Sequence, residues 1–199
     1  MITSLTNQKV KHIVQLKKKP RQARIEGVFL VEGIRMVKEI PAKDLEEIYV
    51  TEAFLEGEGK VCGIDLTRAQ VVTKDVFDKI SDTVTPQGVL AVARRRVYQP
   101  EDILSAENGL YILTEDVQDP GNLGTIFRSA EGAGVTGIVM TRESADLYNS
   151  KVIRSTMGAV LRMPFLYTGD LKKTMEEAIE LRVPLLADVH TGKTWAETK

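Results

Sequence analysis

The sequence predicts an α/β protein in two units, a small mixed unit followed by one built on a parallel sheet. Three observations carry this. Short apolar runs alternate with helical stretches along the 199 residues, which can hold one large domain or two small ones. From residue 108 the alternation becomes strict, strand then helix, as in parallel strands joined by crossover helices. Between the two units, residues 98–107 combine Pro100 with a charged and polar composition and read as a linker. The expected limits are 1–97, 98–107 and 108–199.

The first unit opens with an amphipathic helix over Asn7 to Lys18, with Val10, Ile13, Val14 and Lys17 at its spacing and Pro20 as its stop. Val28-Phe29-Leu30-Val31 is strand-like, and Gly33 turns the chain into a short helix through Ile40. Glu46 to Val50 predicts the next strand and Glu52 to Glu56 a helical turn. An apolar segment over Val61 to Ile64, a Val71-Val72 strand and a helix from Lys74 to Ser81 follow. The run Gln87 to Ala93 closes the unit as a strand, and Arg94-Arg95-Arg96 is expected to face solvent at its edge. The second unit predicts a strand over 109–115, a helix over 122–131, a break at Gly132-Ala133-Gly134 and a strand over Gly137 to Met140. It continues with a helix from Asn149 to Met157 and a strand over Pro164 to Tyr167. Asp170 caps a helix to Leu181 that buries Met175, Ala178, Ile179 and Leu181, and Pro184 to Asp188 is the last strand.

Composition excludes several classes. An apolar fraction of 43% with 28% charged residues is globular, with no apolar segment long enough to cross a membrane and no signal-peptide core. The single cysteine, Cys62, excludes an internal disulfide, fits a reducing compartment and reads as a small buried apolar residue. His12 and His190 stand far apart with no ligand-spaced partner, so no metal site is expected. Net charge is only -1, yet residues 1–25 hold seven bases and no acid, whereas residues 101–199 hold ten bases against fifteen acids. The basic end (Lys9, Lys11, Lys17, Lys18, Lys19, Arg21, Arg24) suggests a face that meets phosphate. Its plain reading is a solvated helix end.

The most informative stretch is Asp119-Pro120-Gly121-Asn122-Leu123-Gly124-Thr125-Ile126-Phe127-Arg128-Ser129-Ala130. It follows the apolar run Leu110 to Leu113 and starts as a turn. Asn122 is expected to cap a helix that turns Leu123, Ile126, Phe127 and Ala130 inward. Gly124 and Arg128 share another face, so a long cation stands over a position without a side chain, a place suited to an anion or a ribose-phosphate. Each part also has a plain reading: Asn122 as a cap, Arg128 as a solvated charge, Gly124 as a close approach to a neighbour.

The string DPGNLGTIFRSAEGAG resembles the first signature of the SpoU/TrmH family of RNA ribose 2'-O-methyltransferases, in the SPOUT superfamily. The resemblance continues through Tyr148-Asn149-Ser150-Lys151-Val152-Ile153-Arg154-Ser155-Thr156-Met157-Gly158-Ala159. It reaches back to Ser4-Leu5-Thr6-Asn7 through Glu32-Gly33, similar to the family's N-terminal RNA-substrate-binding domain. It implies an L30e-like α/β domain followed by a knotted SPOUT domain. It implies methyl transfer from S-adenosylmethionine to a ribose 2'-oxygen, with 23S ribosomal RNA the favoured substrate and transfer RNA the alternative, by a cytoplasmic homodimer. Arg128 carries over as the residue acting on the 2'-hydroxyl and Asn122 as its motif partner. Arg154 and Ser155 of the second motif face RNA or pack, and Lys17, Lys18, Lys19, Arg21 and Arg24 are the expected phosphate contacts. The family's pocket, knot and dimer segments are expected beyond Lys199, so these residues alone are expected neither to bind the cofactor nor to catalyse. A non-catalytic RNA-binding protein is the main rival. A Rossmann dehydrogenase is disfavoured, because no Gly-x-Gly-x-x-Gly follows a strand.

Overall fold

A computed structural model of the chain describes residues 1–177. The expected strand over Pro184 to Asp188, the positions Ala178, Ile179 and Leu181, and His190 lie outside the described residues. Helix α1 (Gln8–Lys18) starts because the Asn7 carboxamide accepts from the Lys9 amide at 2.9 Å. It buries Val10, Ile13 and Leu16, spaced by three. Pro20 ends it and, with its fixed φ, begins a second helix that the pattern did not announce, α2 (Pro20–Ile25).

Strands β1 (Val28–Glu32), β2 (Leu45–Thr51), β3 (Gln70–Val72) and β4 (Val89–Arg94) form the first sheet, in the order β1-β4-β2-β3. The pairing is antiparallel except between β2 and β3. Short helices α3 (Ile34–Lys38) and α4 (Glu52–Glu56) and helix α5 (Lys74–Ile80) connect them. The apolar segment 61–64 is loop, with Cys62 buried in it. Strand β4 is central and therefore apolar on both sides. Leu90 and Val92 share an apolar cluster with residues of α1 and α5, while Val89, Ala91 and Ala93 belong to the cluster that extends into the second lobe.

The second sheet is all parallel, β5 (Tyr111–Thr114), β6 (Gly137–Thr141) and β7 (Phe165–Thr168), with β6 central and fully buried. Helix α6 (Pro100–Leu104) occupies the stretch expected as a linker, held by a Gln99/Asp102 capping box and a buried Ile103. The pattern of charge hid one apolar anchor there. Helices α7 (Pro120–Gly132), α8 (Ser150–Thr156), α9 (Ala159–Arg162) and α10 (Leu171–Glu177) complete the lobe. The Asp170 carboxylate does accept from the Lys173 amide at 2.9 Å, but Met175 is exposed rather than buried. Among the described residues no helix is long and apolar enough to span a membrane.

One apolar cluster runs through both lobes, joining Phe29, Val31 and Ala91 to Phe127, Tyr148, Ile153 and Phe165. The Phe29 and Tyr148 rings lie 4.5 Å apart across the junction. The arginine triplet, expected at the surface, supplies its polar half. Only Arg94 is exposed. The Arg95 guanidinium donates twice to Asp146, at 3.2 and 3.0 Å, reaches the Val28 carbonyl and lies over the Tyr148 ring. Arg96 spans the lobes, donating to Asp44 at 2.9 Å and to the Leu161 carbonyl at 2.9 Å.

Asp146 feels opposing influences: burial pushes its carboxyl upward, but Arg95 and Arg24 outweigh it and hold the group below the usual carboxylate range. A lowered folded-state pKa stabilises the protein above the ordinary aspartate value, and that stability is lost as pH falls through the folded value. Asp146→Asn, which leaves Arg95 buried beside a neutral group, should therefore cost about 3 kcal/mol near neutrality. Thermal melts should show the gap between wild type and variant narrowing below about pH 4; a gap independent of pH would contradict the assignment.

Candidate functional site

The site is built at the end of β5, where the chain turns into α7. Asp116, at φ 52, donates its amide to Thr141 Oγ1 at 2.9 Å, and Val117 donates to Ser144 Oγ at 3.2 Å. These buried hydroxyls fix the loop to the segment after β6. Asp119, not Asn122, is the helix cap: its carboxylate accepts from the Asn122 amide at 2.8 Å. Pro120 then takes the first helical position, where its missing N–H leaves no bond unmade. Asn122 falls at the third helical position, with its side chain exposed and without a hydrogen bond among the described residues.

Leu123, Phe127 and Ala130 are fully buried, as expected, and Ile126 packs at the rim. Gly124 is buried rather than open. A methyl group there would overlap the Ser155 side chain and approach its backbone. Ser155 is accordingly a packing residue: its hydroxyl lies 2.7 Å from both the Pro120 and Val152 carbonyls, tying α8 to the first turn of α7. That geometry does not leave it facing RNA. Asn149 caps α8 by accepting from the Lys151 amide at 2.9 Å.

Arg128 projects outward from α7, away from the core. Its guanidinium donates to Thr125 Oγ1 at 3.3 Å and to Met157 Sδ at 3.4 Å. It does not contact Asn122, and among the described residues no carboxylate pairs with it. Glu131, three residues along α7, is held instead by Arg162, whose Nη2 lies 2.9 Å from it. Arg162 also meets Glu39 of the first lobe. Thr125, Met157 and Arg162 were not singled out by the sequence; a methionine directly before Gly158 at a helix end was the available signal.

The predicted phosphate contacts divide. Lys17 is engaged internally, donating to the Lys79 carbonyl at 3.3 Å and to the Ser81 carbonyl, where it caps α5. Arg24 shares Asp146 with Arg95, at 3.3 Å, while staying two-thirds exposed. Lys18, Lys19 and Arg21 are exposed and unpaired among the described residues. Arg154 is exposed on α8 and borders a crevice with Lys17, Pro20 and Ser150, so the structure brings it to the basic end of the first lobe. His12 pairs with Glu26 at 2.6 Å, and among the described residues no three potential metal ligands converge.

A groove of about 950 Å³ opens between the lobes, lined among the described residues by Arg24, Tyr98, Arg142, Tyr167 and Gly169. It lies at the carboxyl ends of β6 and β7, where parallel sheets gather ligands. The one buried side-chain atom left without a partner among the described residues, Thr114 Oγ1, lies outside that lining.

The close approach at Gly124 is testable. Gly124→Ala should destabilise by about 2 kcal/mol through overlap with Ser155. Gly124→Ala combined with Ser155→Gly should recover part of that loss in thermal melts, the Ser155 main-chain carbon remaining 2.7 Å from the added methyl. A double variant no better than the single one would remove Ser155 as the obstacle.

Comparison with known proteins agrees with this geometry. The SpoU rRNA Methylase family model matches residues 109–198 and the MRM3-like substrate binding domain model matches residues 7–91. The chain is 33% identical over 179 residues to the 23S rRNA (guanosine(2553)-2'-O)-methyltransferase RlmP of Bacillus subtilis, covering 86% of this chain and 68% of that protein. It is 31% identical over 153 residues to the human mitochondrial rRNA methyltransferase 3, covering 71% of this chain and 35% of that one. Among solved structures, the AdoMet-bound rRNA methyltransferase from Sinorhizobium meliloti superposes with a TM-score of 0.72 at 29% identity, over 89% of this chain and 68% of that one. With both motifs, both domain models and the fold in agreement, the chain belongs to the SpoU rRNA methylase family.

Proposed function

We propose that this chain holds the acceptor side of an S-adenosylmethionine-dependent ribose 2'-O-methyltransferase acting on ribosomal RNA. The observation that carries the reading is Arg128, an exposed cation on a rigid helix, oriented by two neutral acceptors and paired with no carboxylate among the described residues. The Bacillus and human relatives are ribosomal RNA methyltransferases, the first of them for a guanosine 2'-oxygen, and the Sinorhizobium neighbour binds AdoMet. The homodimer and the completion of a cofactor pocket rest on the family resemblance, the cytoplasmic location also on the single cysteine, and the division at residues 97 and 108 on the composition around Pro100.

S-adenosylmethionine supplies an already activated methyl group, so the protein's task is to position the acceptor and accommodate its charge. Arg128 suits that task. A guanidinium stays protonated, so it orients the ribose-phosphate and stabilises negative charge growing on the 2'-oxygen rather than removing the proton. Asn122, six residues before it on α7, has a free carboxamide for the same RNA segment. Lys18, Lys19, Arg21 and Arg154 supply phosphate contacts, with Arg24 available at the rim of the Asp146 network.

Arg128→Ala in the full-length protein should leave the melting temperature nearly unchanged, because it removes no core packing. Transfer of a labelled methyl group to ribosomal RNA should fall about a hundredfold or more. Arg128→Lys should rescue poorly, since an ammonium lacks the planar fork. Transfer at the wild-type rate by the alanine variant would remove Arg128 from the mechanism. A second measurement addresses binding. Replacing Lys18, Lys19 and Arg21 with Gln should weaken RNA binding and lower the slope of log affinity against log salt by roughly one for each phosphate no longer neutralised. An unchanged slope would return that end to a solvated helix terminus.

A further inference from the structure

Met157 departs from two local rules at once. It closes α8 in the left-handed region, φ 50 and ψ 38, a conformation natural to glycine and strained for other residues. It is also 68% exposed, so burial of its side chain does not offset the strain. What the conformation achieves is a contact: Sδ lies 3.4 Å from Arg128 Nη1, while Thr125 Oγ1 takes Nη2 at 3.3 Å. Both acceptors are neutral. The carboxylate best placed by helix spacing to pair with Arg128 is Glu131, at i+3. Arg162 takes that carboxylate with two of its nitrogens and holds Glu39 with the third.

We propose that Met157 and Arg162 are positioning residues that orient Arg128 while leaving its charge uncompensated. Met157 holds the guanidinium by a weak neutral acceptor, and Arg162 withdraws the carboxylate that would otherwise neutralise it. A thioether can fix the plane of a guanidinium without competing with phosphate; a carboxylate would form the stronger bidentate pair and would have to be displaced by RNA. The strain at Met157 is then the consequence of bringing a neutral acceptor to that point. This proposal rests on the reading of Arg128 as the cation acting on the acceptor ribose.

The test is steady-state methyl transfer by the full-length protein on ribosomal RNA, separating kcat from the KM for RNA, with thermal melts for each variant. Met157→Gln and Met157→Glu have nearly the same shape and differ in charge. Gln should keep kcat within about threefold, whereas Glu, by pairing with Arg128, should lower kcat at saturating RNA about tenfold or more. Arg162→Met should lower kcat by releasing Glu131, and the added change Glu131→Gln should restore it, a rescue that a purely structural arginine would not show. Equal kcat for the Gln and Glu variants, or an Arg162→Met defect indifferent to Glu131→Gln, would overturn the proposal. Arg128→Ala runs alongside: if it is inactive while Gln and Glu agree, only the positioning role falls. If it is fully active, the acceptor-site reading falls and takes this proposal with it.

Discussion

The contact on which the site depends is the approach of α7 to α8 at Gly124. Helices meet this closely only where one of them lacks a side chain, and Ser155 fills the space that a methyl at 124 would take. Once the two helices are in register there, the first turn of α7 receives the Ser155 hydroxyl and the end of α8 comes to lie beside Arg128. A second bare position continues the same arrangement. Gly158, at φ 94, leaves room for Glu39 and Arg162, so the turn after α8 also becomes a point where the two lobes touch.

The two lobes pack against each other through one continuous apolar cluster. Val89, Ala91 and Ala93 of the first sheet belong to the same apolar cluster as Tyr148 and Ile153 of the second lobe, and the Phe29 and Tyr148 rings meet directly. Arginines close the rim of that contact. Removing charges from water is unfavourable unless each finds a partner, and here Arg95 finds Asp146 while Arg96 finds Asp44 and a main-chain carbonyl. Two sets of cations stand out among the described residues. Lys17, Arg95, Arg96 and Arg162 are struts between elements. Lys18, Lys19, Arg21, Arg154 and Arg128 remain turned to solvent without a carboxylate among the described residues. A near-neutral protein can in this way present uncompensated positive charge at the places where a polyanion would lie.

Local chemistry was legible in the sequence. The amphipathic spacing of Val10 and Ile13, the apolar run at 137–140 and the cap at Asp170 all specify nearby backbone, and the elements formed where they pointed. The inward face of α7 was legible for the same reason, since spacings of three and four map directly onto one side of a helix. Its start was misread by a few residues. Asn and Asp are both good caps, and Pro120 settles the choice in favour of Asp119.

Partners distant in the chain were not legible. Nothing near Arg95 announces that it will be covered, because its partner Asp146 stands 51 residues away. Gly124 offered either open space or a close approach, and only the position of Ser155 decides between them. Lys17 and Lys18 are adjacent and identical in type, yet one caps α5 and the other faces water, because the helix turns them in different directions against the folded lobe. The sequence by itself determined the elements, the family and the identity of Arg128, since these reside in short-range pattern. Tertiary structure alone decided which charges are neutralised, because charge pairing depends on distance in space and not along the chain.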